Sequence, residues 1–420
     1  MRKKLFWLTA IFAVGFVFRL WFVHTYPQEL VFDQEQYRQL AIDLINFPGW
    51  AHTFRTYGYS LIIAILYKIF GIGDTVSWQV LQCLMDAASG VILFFIVNTF
   101  IKKKLTSWLA YIFYEVNLFT ISFVGLLLTE VSTIFFTLLV FFLLLLFLEK
   151  KKIRYLLLLG ISLGWLPQIR TPFYYFSLFI FIVIIFLIIK WINIGKVKKA
   201  LIIMMFSLMF SIPFYYNFYG NYVWHKEISP LIVDDQFTEN LYMSLYMERI
   251  MPIPEYSLIP PQVQTVYGEY SVQKSKAGRQ SMANKYRRLA IEKIKEDPEK
   301  FVKTRFLKMW YVWEKHFLFQ YKAVPESMAG RFAVYWINIV LLISALGGYI
   351  MVLKKTVLSA ETENKIYLGL ITIFALYITL LSSFTPSEER YSLPFYPFLF
   401  MFSAYFINIL LIKFFKRKKR

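Results

Sequence analysis

The feature that most constrains this chain is the alternation of charge at the junctions between its long apolar runs. Clusters of Lys and Arg occupy every second junction: MRKK at 1–4, KKK at 102–104, KKKIR at 150–154, KVKK at 196–199, KK at 354–355 and KRKKR at 416–420. By the positive-inside rule, all six clusters and both termini are cytoplasmic. The opposite junctions carry acidic and isolated charged residues, so we expect any active site at the outer, extracytoplasmic face. Those residues are Asp33, Glu35, Arg55, Glu130, Arg170, Glu388, Glu389 and Arg390.

The composition identifies an integral membrane protein. Hydrophobic residues make up 58% of the 420 residues, more than in a soluble domain of this length. The net charge of +20 lies in clusters that flank apolar runs, where each basic residue is stabilised by anionic lipid. Anchoring to the bilayer therefore explains the charge, and nucleic acid is not an expected partner. The single cysteine, Cys83, lies inside an apolar run and gives no disulfide framework.

Ten apolar runs are long enough, or nearly long enough, to cross a bilayer. They predict an all-α polytopic membrane protein of about ten transmembrane helices with interfacial helices at its outer face. The runs are 5–25, 75–101, 105–124, 127–148, 155–169, 172–190, 200–219, 329–353, 365–384 and 391–415. The apolar stretch 57–71 is too short to span and would invert every later basic cluster, so we place it flat on the outer surface.

This topology divides the chain into three parts. Residues 1–219 form an N-terminal membrane module whose first outer loop, 27–74, carries candidate catalytic residues. Residues 220–328 form a large outer loop with a Pro-rich portion and amphipathic helices, one of which is predicted to begin at Pro298. Residues 329–420 form the C-terminal membrane helices. Within 27–74, residues Tyr37 to Ile45 show helical spacing of apolar positions.

Two carboxylates are candidates for chemistry. Asp33 precedes the helical pattern, where it would either cap that helix or act as a general base whose pKa is raised by desolvation at the membrane surface. Glu35 would assist it, bind an acceptor or be solvated. Glu130 lies in an apolar run and therefore needs a partner: pairing with Arg170, or binding of an acceptor or metal, remain open.

Three arginines each allow two interpretations of their role. Arg170 stands in a turn between two apolar runs, where a guanidinium can hold a phosphate with paired donors or extend to the lipid headgroups. Arg55 and Arg390 have the same two readings. A divalent metal held by carboxylates is possible, although no histidine pair has ligand spacing, and no cofactor is certain. No nucleotide-binding glycine motif or hydrolase elbow occurs.

The order of these motifs resembles that of the GT-C glycosyltransferases. An Asp after the first span is followed by RTYGYSLIIAILYKIFG, LLLTE, an Arg-Thr-Pro turn and ERYSLPFYPFLFMFSAY. The pattern is similar to bacterial members of the protein O-mannosyltransferase and aminoarabinose-transferase group. The resemblance implies a hexosyl- or pentosyltransferase that moves a sugar, with inversion, from a polyprenyl-phosphate donor to an envelope glycan, lipid or protein at the extracytoplasmic face.

The resemblance also implies roles for individual residues. Asp33 is the catalytic carboxylate and Glu130 its acidic partner. Substrate contacts are expected from Glu35, Arg55, Tyr57, Arg170, Arg390 and Tyr391. The alternatives are a flippase or transporter of lipid-linked oligosaccharides, whose charges typically lie near the midplane in repeated halves, and a polymerase or ligase of surface polysaccharides, which would need essential Arg and His residues in the large loop.

Overall fold

The computed structural model describes residues 2–47, 49–191, 195–250, 259–272, 275–321 and 326–417. Within these ranges the chain is helical, and strand-like pairing is limited to an isolated bridge between Arg249 and Ser387. Most of the predicted Pro-rich portion lies outside the described residues.

The helices are described in the order of the three predicted parts of the chain. The first part contains α1 Arg2–Thr25, α2 Asp33–Asn46, α3 Gly58–Phe70, α4 Val76–Phe100, α5 Lys104–Val116, α6 Leu118–Ile121, α7 Glu130–Lys150, α8 Ile153–Ile169, α9 Tyr174–Trp191, α10 Lys196–Ser211 and α11 Tyr215–Gly220. The second contains α12 Gln236–Ser244, α13 Pro261–Val272, α14 Lys276–Glu296 and α15 Pro298–Tyr311. The third contains α16 Met328–Leu358, α17 Thr362–Ser383 and α18 Tyr396–Arg417.

Eight helical segments of the described chain are long and apolar enough to cross a membrane. They are Leu5–Thr25, Val76–Phe100, Glu130–Lys150, Thr171–Trp191, Lys196–His225, Met328–Leu358, Thr362–Ser383 and Glu389–Phe415. The all-α membrane architecture is therefore confirmed, but the count of ten is not. The predicted run 105–124 is interrupted at Asn117, whose side chain accepts a hydrogen bond from the Thr120 amide and starts the short helix α6. The run 155–169 forms α8, which has 17 residues.

Two predictions about the first outer loop hold in the structure. Helix α2 buries Tyr37, Leu40, Ala41 and Leu44, as their helical spacing predicts. Helix α3 has 13 residues and is too short to span a bilayer. It packs mainly against α2, so the two helices form one unit beside the ends of the longer helices.

Helix α7 lies at the centre of the bundle. It contacts α4, α8 and α17, and its N-terminal residue is Glu130. A helix buried on all sides is apolar all round, as the sequence between Val131 and Leu148 is. This position holds Glu130 at the end of the bundle where α2 and the turn before α18 also lie.

A buried ionic contact that the sequence analysis did not single out joins the first helices. Arg19 on α1 donates to Asp86 on α4 at 2.7 Å and to Glu115 on α5 at 2.6 Å. A Cβ atom at Gly15 or Gly90 would lie 2.0 or 2.2 Å from the Glu115 carboxylate, so both glycines are needed for space. Charged groups in a membrane bundle are normally paired in this way.

The 220–328 segment has a small apolar core of its own, which the sequence analysis did not expect. Tyr242, Met243, Val266 and Met282 are among its buried members. Helix α15 begins at Pro298, as predicted, and the Asp297 side chain accepts from the Lys300 amide.

One lysine links the 220–328 segment to the membrane helices through hydrogen bonds. Lys308 on α15 is fully buried and donates to the carbonyls of Ser244, Met247 and Thr385. Burial, together with the charge of Arg305, lowers the pKa of Lys308 to about 6.

The close approach of α16 and α18 depends on Gly348. A Cβ atom there would lie 1.9 Å from the Phe402 carbonyl oxygen, whereas one at Gly369 on α17 would meet nothing within 4 Å. We therefore predict that Gly348→Ala destabilises the protein by about 1–3 kcal/mol through overpacking. Gly369→Ala is the control, expected to be neutral or slightly stabilising. Thermal unfolding in detergent measures both; equal melting temperatures would contradict the contact.

Candidate active site

Asp33 does not cap the helix that it begins. The residue before it, Phe32, occupies the N-cap position without a side-chain hydrogen bond and has a φ of 54°. Nearby, the Gln34 side chain accepts from the Leu127 amide at 2.9 Å and donates to the Glu29 carbonyl at 2.7 Å. These bonds fix the start of α2 against the segment that leads into α7.

The Asp33 carboxylate is instead held by two arginines. Its Oδ1 accepts from Arg55 at 2.7 Å and its Oδ2 accepts from Arg390 at 3.0 Å. Arg55 lies just before α3, and Arg390 lies in the 3₁₀ turn Glu389–Phe395 before α18. The two partners are 22 and 357 residues away from Asp33 in the sequence. Asp33 and the two arginines therefore form one site.

The expectation of a raised Asp33 pKa is wrong for this arrangement. Burial acts to raise the pKa, but the positive charges and hydrogen bonds of Arg55 and Arg390 outweigh it. The pKa of Asp33 is held well below its ordinary value, so the carboxylate is ionised and a weak base. The folded-state pKa lies below the unfolded one, so these contacts add stability at neutral pH that is lost only in strong acid.

Glu130 lies in the same site. One of its oxygens is 3.4 Å from Arg170 Nη1 and 3.6 Å from Arg390 Nε. Its other oxygen is buried and has no hydrogen-bond partner among the described residues. The pairing of Glu130 with Arg170, one of the readings left open by the sequence, is therefore present. Arg170 also lies over the Tyr391 ring, 5.0 Å from its centroid.

The structure adds two residues to the predicted set. Glu388 pairs with Arg390, and the Tyr321 hydroxyl accepts from Arg390 Nη1 at 3.4 Å. The sequence marked Glu388 as an outer charge but gave it no role, and no motif marks Tyr321. We call the six charged residues the arginine–carboxylate cluster: Asp33, Arg55, Glu130, Arg170, Glu388 and Arg390. Three carboxylates face three guanidinium groups in it.

Two predicted substrate contacts lie outside this cluster. Glu35 pairs with Arg38 at 2.5 Å on the surface of α2. The Tyr57 hydroxyl donates to the Pro213 carbonyl at 2.6 Å, and the ring stacks on Tyr216 with centroids 4.4 Å apart. Tyr57 is buried and holds the start of α3 against the turn before α11.

A second charged group adjoins the arginine–carboxylate cluster. Glu389 pairs with Arg249 and accepts from the His316 amide at 2.9 Å, and Arg249 is 3.3 Å from Glu314. Neighbouring glutamates 388 and 389 thus serve different partners. Glu388 faces the cluster, and Glu389 holds the 220–328 segment.

The carboxylates of the cluster do not fit a metal ion in this arrangement. Each of them is engaged by at least one guanidinium group, and a divalent cation would have to displace those arginines. Throughout the described ranges, groups of three or more His, Cys, Asp or Glu residues arranged to hold a metal are absent. No step is derived through a metal.

Comparisons with known proteins agree with this architecture. A family model described as dolichyl-phosphate-mannose-protein mannosyltransferase matches residues 55–216, under half of the chain. Among solved structures, the archaeal oligosaccharyltransferase AglB from Archaeoglobus fulgidus, in complex with an inhibitory peptide and a dolichol-phosphate, matches with a TM-score of 0.54 and 10% identity. The match covers 99% of this chain and 52% of AglB. The chain therefore has a GT-C-like fold, that of the AglB oligosaccharyltransferase.

A second match shows the same GT-C fold. The Archaeoglobus fulgidus oligosaccharyltransferase in its apo form has a TM-score of 0.56 and 11% identity, over 97% of this chain and 51% of that protein. The chain therefore spans about half the length of these relatives. Among curated proteins, none matches the chain. The expected resemblance to GT-C enzymes is confirmed at the level of fold.

The backbone at Phe32 gives a prediction about how Asp33 is placed. A side chain at a φ of 54° is strained by about 1–3 kcal/mol, and glycine relieves that strain. We expect Phe32→Gly to be more stable than Phe32→Leu, because both variants lose the contact with the Tyr321 ring, whose centroid is 6.4 Å away, but only the Leu variant keeps the strain. Chemical unfolding of the two variants tests this. A Leu variant as stable as the Gly variant would show that the φ value carries no strain.

Proposed function

We propose that this chain transfers a sugar from a polyprenyl-phosphate donor to an acceptor at the extracytoplasmic face, with inversion at the anomeric carbon. The observation that carries the proposal is the convergence of Asp33 with Arg55, Arg170 and Arg390 at one end of a GT-C fold. The matched mannosyltransferase segment supports it. So does the AglB structure, which contains a dolichol-phosphate and a peptide.

The three arginines supply what a donor phosphate needs. A guanidinium group keeps its charge when partly desolvated and offers paired N–H donors to phosphate oxygens. When the bond between the sugar and the phosphate breaks, the leaving phosphate gains negative charge, which fixed positive groups stabilise. The arginines are now paired with carboxylates, so donor binding exchanges carboxylate contacts for phosphate contacts.

This exchange would also activate Asp33. While Arg55 and Arg390 hold it, its lowered pKa makes it a poor base. If a donor phosphate attracts either arginine, Asp33 loses a positive partner and its basicity rises. The acceptor hydroxyl then gives its proton to Asp33 as its oxygen bonds to the anomeric carbon, and the phosphate departs with the electron pair. A single displacement of this kind inverts the configuration.

Other functions are supported less well. A transporter normally places its charges near the midplane, whereas this cluster lies at helix ends: Glu130 begins α7 and Arg170 follows α8. A polysaccharide polymerase or ligase has one specific observation in its favour, because Arg249 and His316 of the 220–328 segment contact each other at 2.8 Å beside the cluster. A polymerase or ligase would be favoured if Arg249→Gln abolished transfer while Asp33→Asn remained active.

Replacement of Asp33 tests the base directly. We expect Asp33→Asn to lower transfer by about 10²–10⁴-fold, because an amide cannot accept the acceptor proton. Asp43→Asn is the matched control on the same helix, where the Asp43 side chain accepts from Gln39 at the exposed surface. Purified protein is incubated with a panel of polyprenyl-phosphate sugars, and the acceptor pool is analysed by mass spectrometry. Full activity of Asp33→Asn would remove the role assigned to Asp33.

Replacement of Arg170 tests whether its guanidinium group contacts the donor phosphate. Loss of a charge-assisted hydrogen bond of about 1.5–3 kcal/mol raises the donor KM by roughly 10- to 100-fold in Arg170→Gln. Arg154→Gln, near the opposite end of α8 and paired with Tyr155, is the control. Because Arg170 also neutralises Glu130, Arg170→Gln alone leaves a buried carboxylate without that partner and lowers stability. The double variant Arg170→Gln/Glu130→Gln removes this carboxylate charge, so a raised donor KM that persists in it reports lost donor binding. An unchanged donor KM in a folded variant would mean that Arg170 serves only as the partner of Glu130.

A further inference from the structure

A cavity of about 80 Å³ lies where α4 and α16 end and α5 and α17 begin. Its polar wall includes Lys102, Lys355, Thr356, Ser359 and Asn364. That volume has room for two or three water molecules at the volume each has in the liquid, or for a small anion. We propose that this cavity binds the phosphate of an anionic lipid headgroup.

The cavity lies at the membrane face opposite to the arginine–carboxylate cluster. Helix α4 ends at Phe100, and the chain then returns through α5 and α6 toward Glu130. The turn at Lys102 is therefore at the far end of the bundle. Its basic residues belong to clusters that the positive-inside rule places in the cytoplasm.

The cavity has more positive than negative charge. Lys102, held with a φ of 59°, pairs with Glu361 at 3.2 Å. Lys103 lies 4.9 Å from the centroid of the Tyr405 ring, which lines the cavity. Lys355 has no carboxylate partner within the described ranges. The ammonium groups of Lys102 and Lys355 and the carboxylate of Glu361 line the cavity, and Lys103 lies beside it, so an anion would neutralise the excess positive charge.

The mutual repulsion of these lysines also favours binding of an anion in the cavity. The pKa of Lys103 is lowered by burial and then by the positive charge of Lys355. The two residues come from clusters about 250 positions apart in the sequence, so the fold brings them together. Lysines that only flank a membrane span have no need to converge on one cavity.

The apolar wall favours a lipid over a free anion. Phe100, Ile101 and Val352 line the cavity together with hydroxyl and ammonium groups. A phosphodiester lipid has the same combination in its glycerol and its phosphate. Each lysine near an anionic leaflet contributes about 1 kcal/mol, and the Thr356 hydroxyl adds a hydrogen-bond donor.

Native mass spectrometry of the full chain, released from nanodiscs, tests the proposal. We expect wild-type protein to retain one phosphatidylglycerol and to show no comparable retention of phosphatidylcholine. Lys102→Gln/Lys355→Gln should lower retention at least about tenfold, because two lysine contributions are lost. Lys355→Gln alone breaks no ion pair to a described residue and should give an intermediate loss, which guards against misfolding of the double variant.

A matched control distinguishes lipid binding at the cavity from the general attraction of lysines to an anionic leaflet. Lys196→Gln/Lys198→Gln removes the same charge from exposed lysines at the start of α10, on the same predicted face. Wild-type retention in this control supports the cavity. Equal loss in both double variants, or equal retention, overturns it. Binding of inorganic phosphate alone, lost in the cavity variant while no lipid is retained, overturns the lipid as ligand and assigns the cavity to a free anion.

Discussion

The Arg390 guanidinium is the contact on which the rest of the site depends. It lies within reach of Asp33, Glu130 and Glu388, which belong to the first outer loop, to the start of the central helix α7 and to the turn before α18. Removing one partner from such a buried set leaves the others uncompensated, typically at a cost of about 3–5 kcal/mol. One side chain thus contacts carboxylates from α2, from the start of α7 and from its own turn, and it holds the candidate base Asp33 near Glu130.

The balance of charge in the cluster explains how a site rich in arginines can exist before any donor binds. Three guanidinium groups packed together without counter-ions would repel one another, and the carboxylates prevent this. The same carboxylates make the positive charge available only to a ligand that can replace them. A polyprenyl-linked phosphate, the proposed donor, would be such a ligand, because its oxygens accept the same hydrogen bonds.

The sequence predicted much of this arrangement because topology restricts it strongly. Once basic clusters assign the cytoplasmic ends, Asp33, Glu130, Arg170 and Arg390 share one side, and the structure brings all four together. Local patterns also placed α2 and the start of α15 at Pro298 correctly. Most of what failed depends on distance. The contact of Arg19 with Asp86 and Glu115 and the lowering of the Asp33 pKa arise from partners far away along the chain. The break at Asn117 is instead a local N-cap, which the apolar residues around it concealed.

Glu388 and Glu389 illustrate a constraint of a different kind. They are adjacent in the chain, yet one faces Arg390 and its cluster while the other holds Arg249 and His316 of the 220–328 segment. The backbone pairing of Arg249 with Ser387 fixes the start of this turn. A side-chain change here affects one partner set, but an inserted or deleted residue shifts both acids out of register at once. The spacing of these two acids along the backbone is therefore a constraint of its own, separate from the identity of either residue.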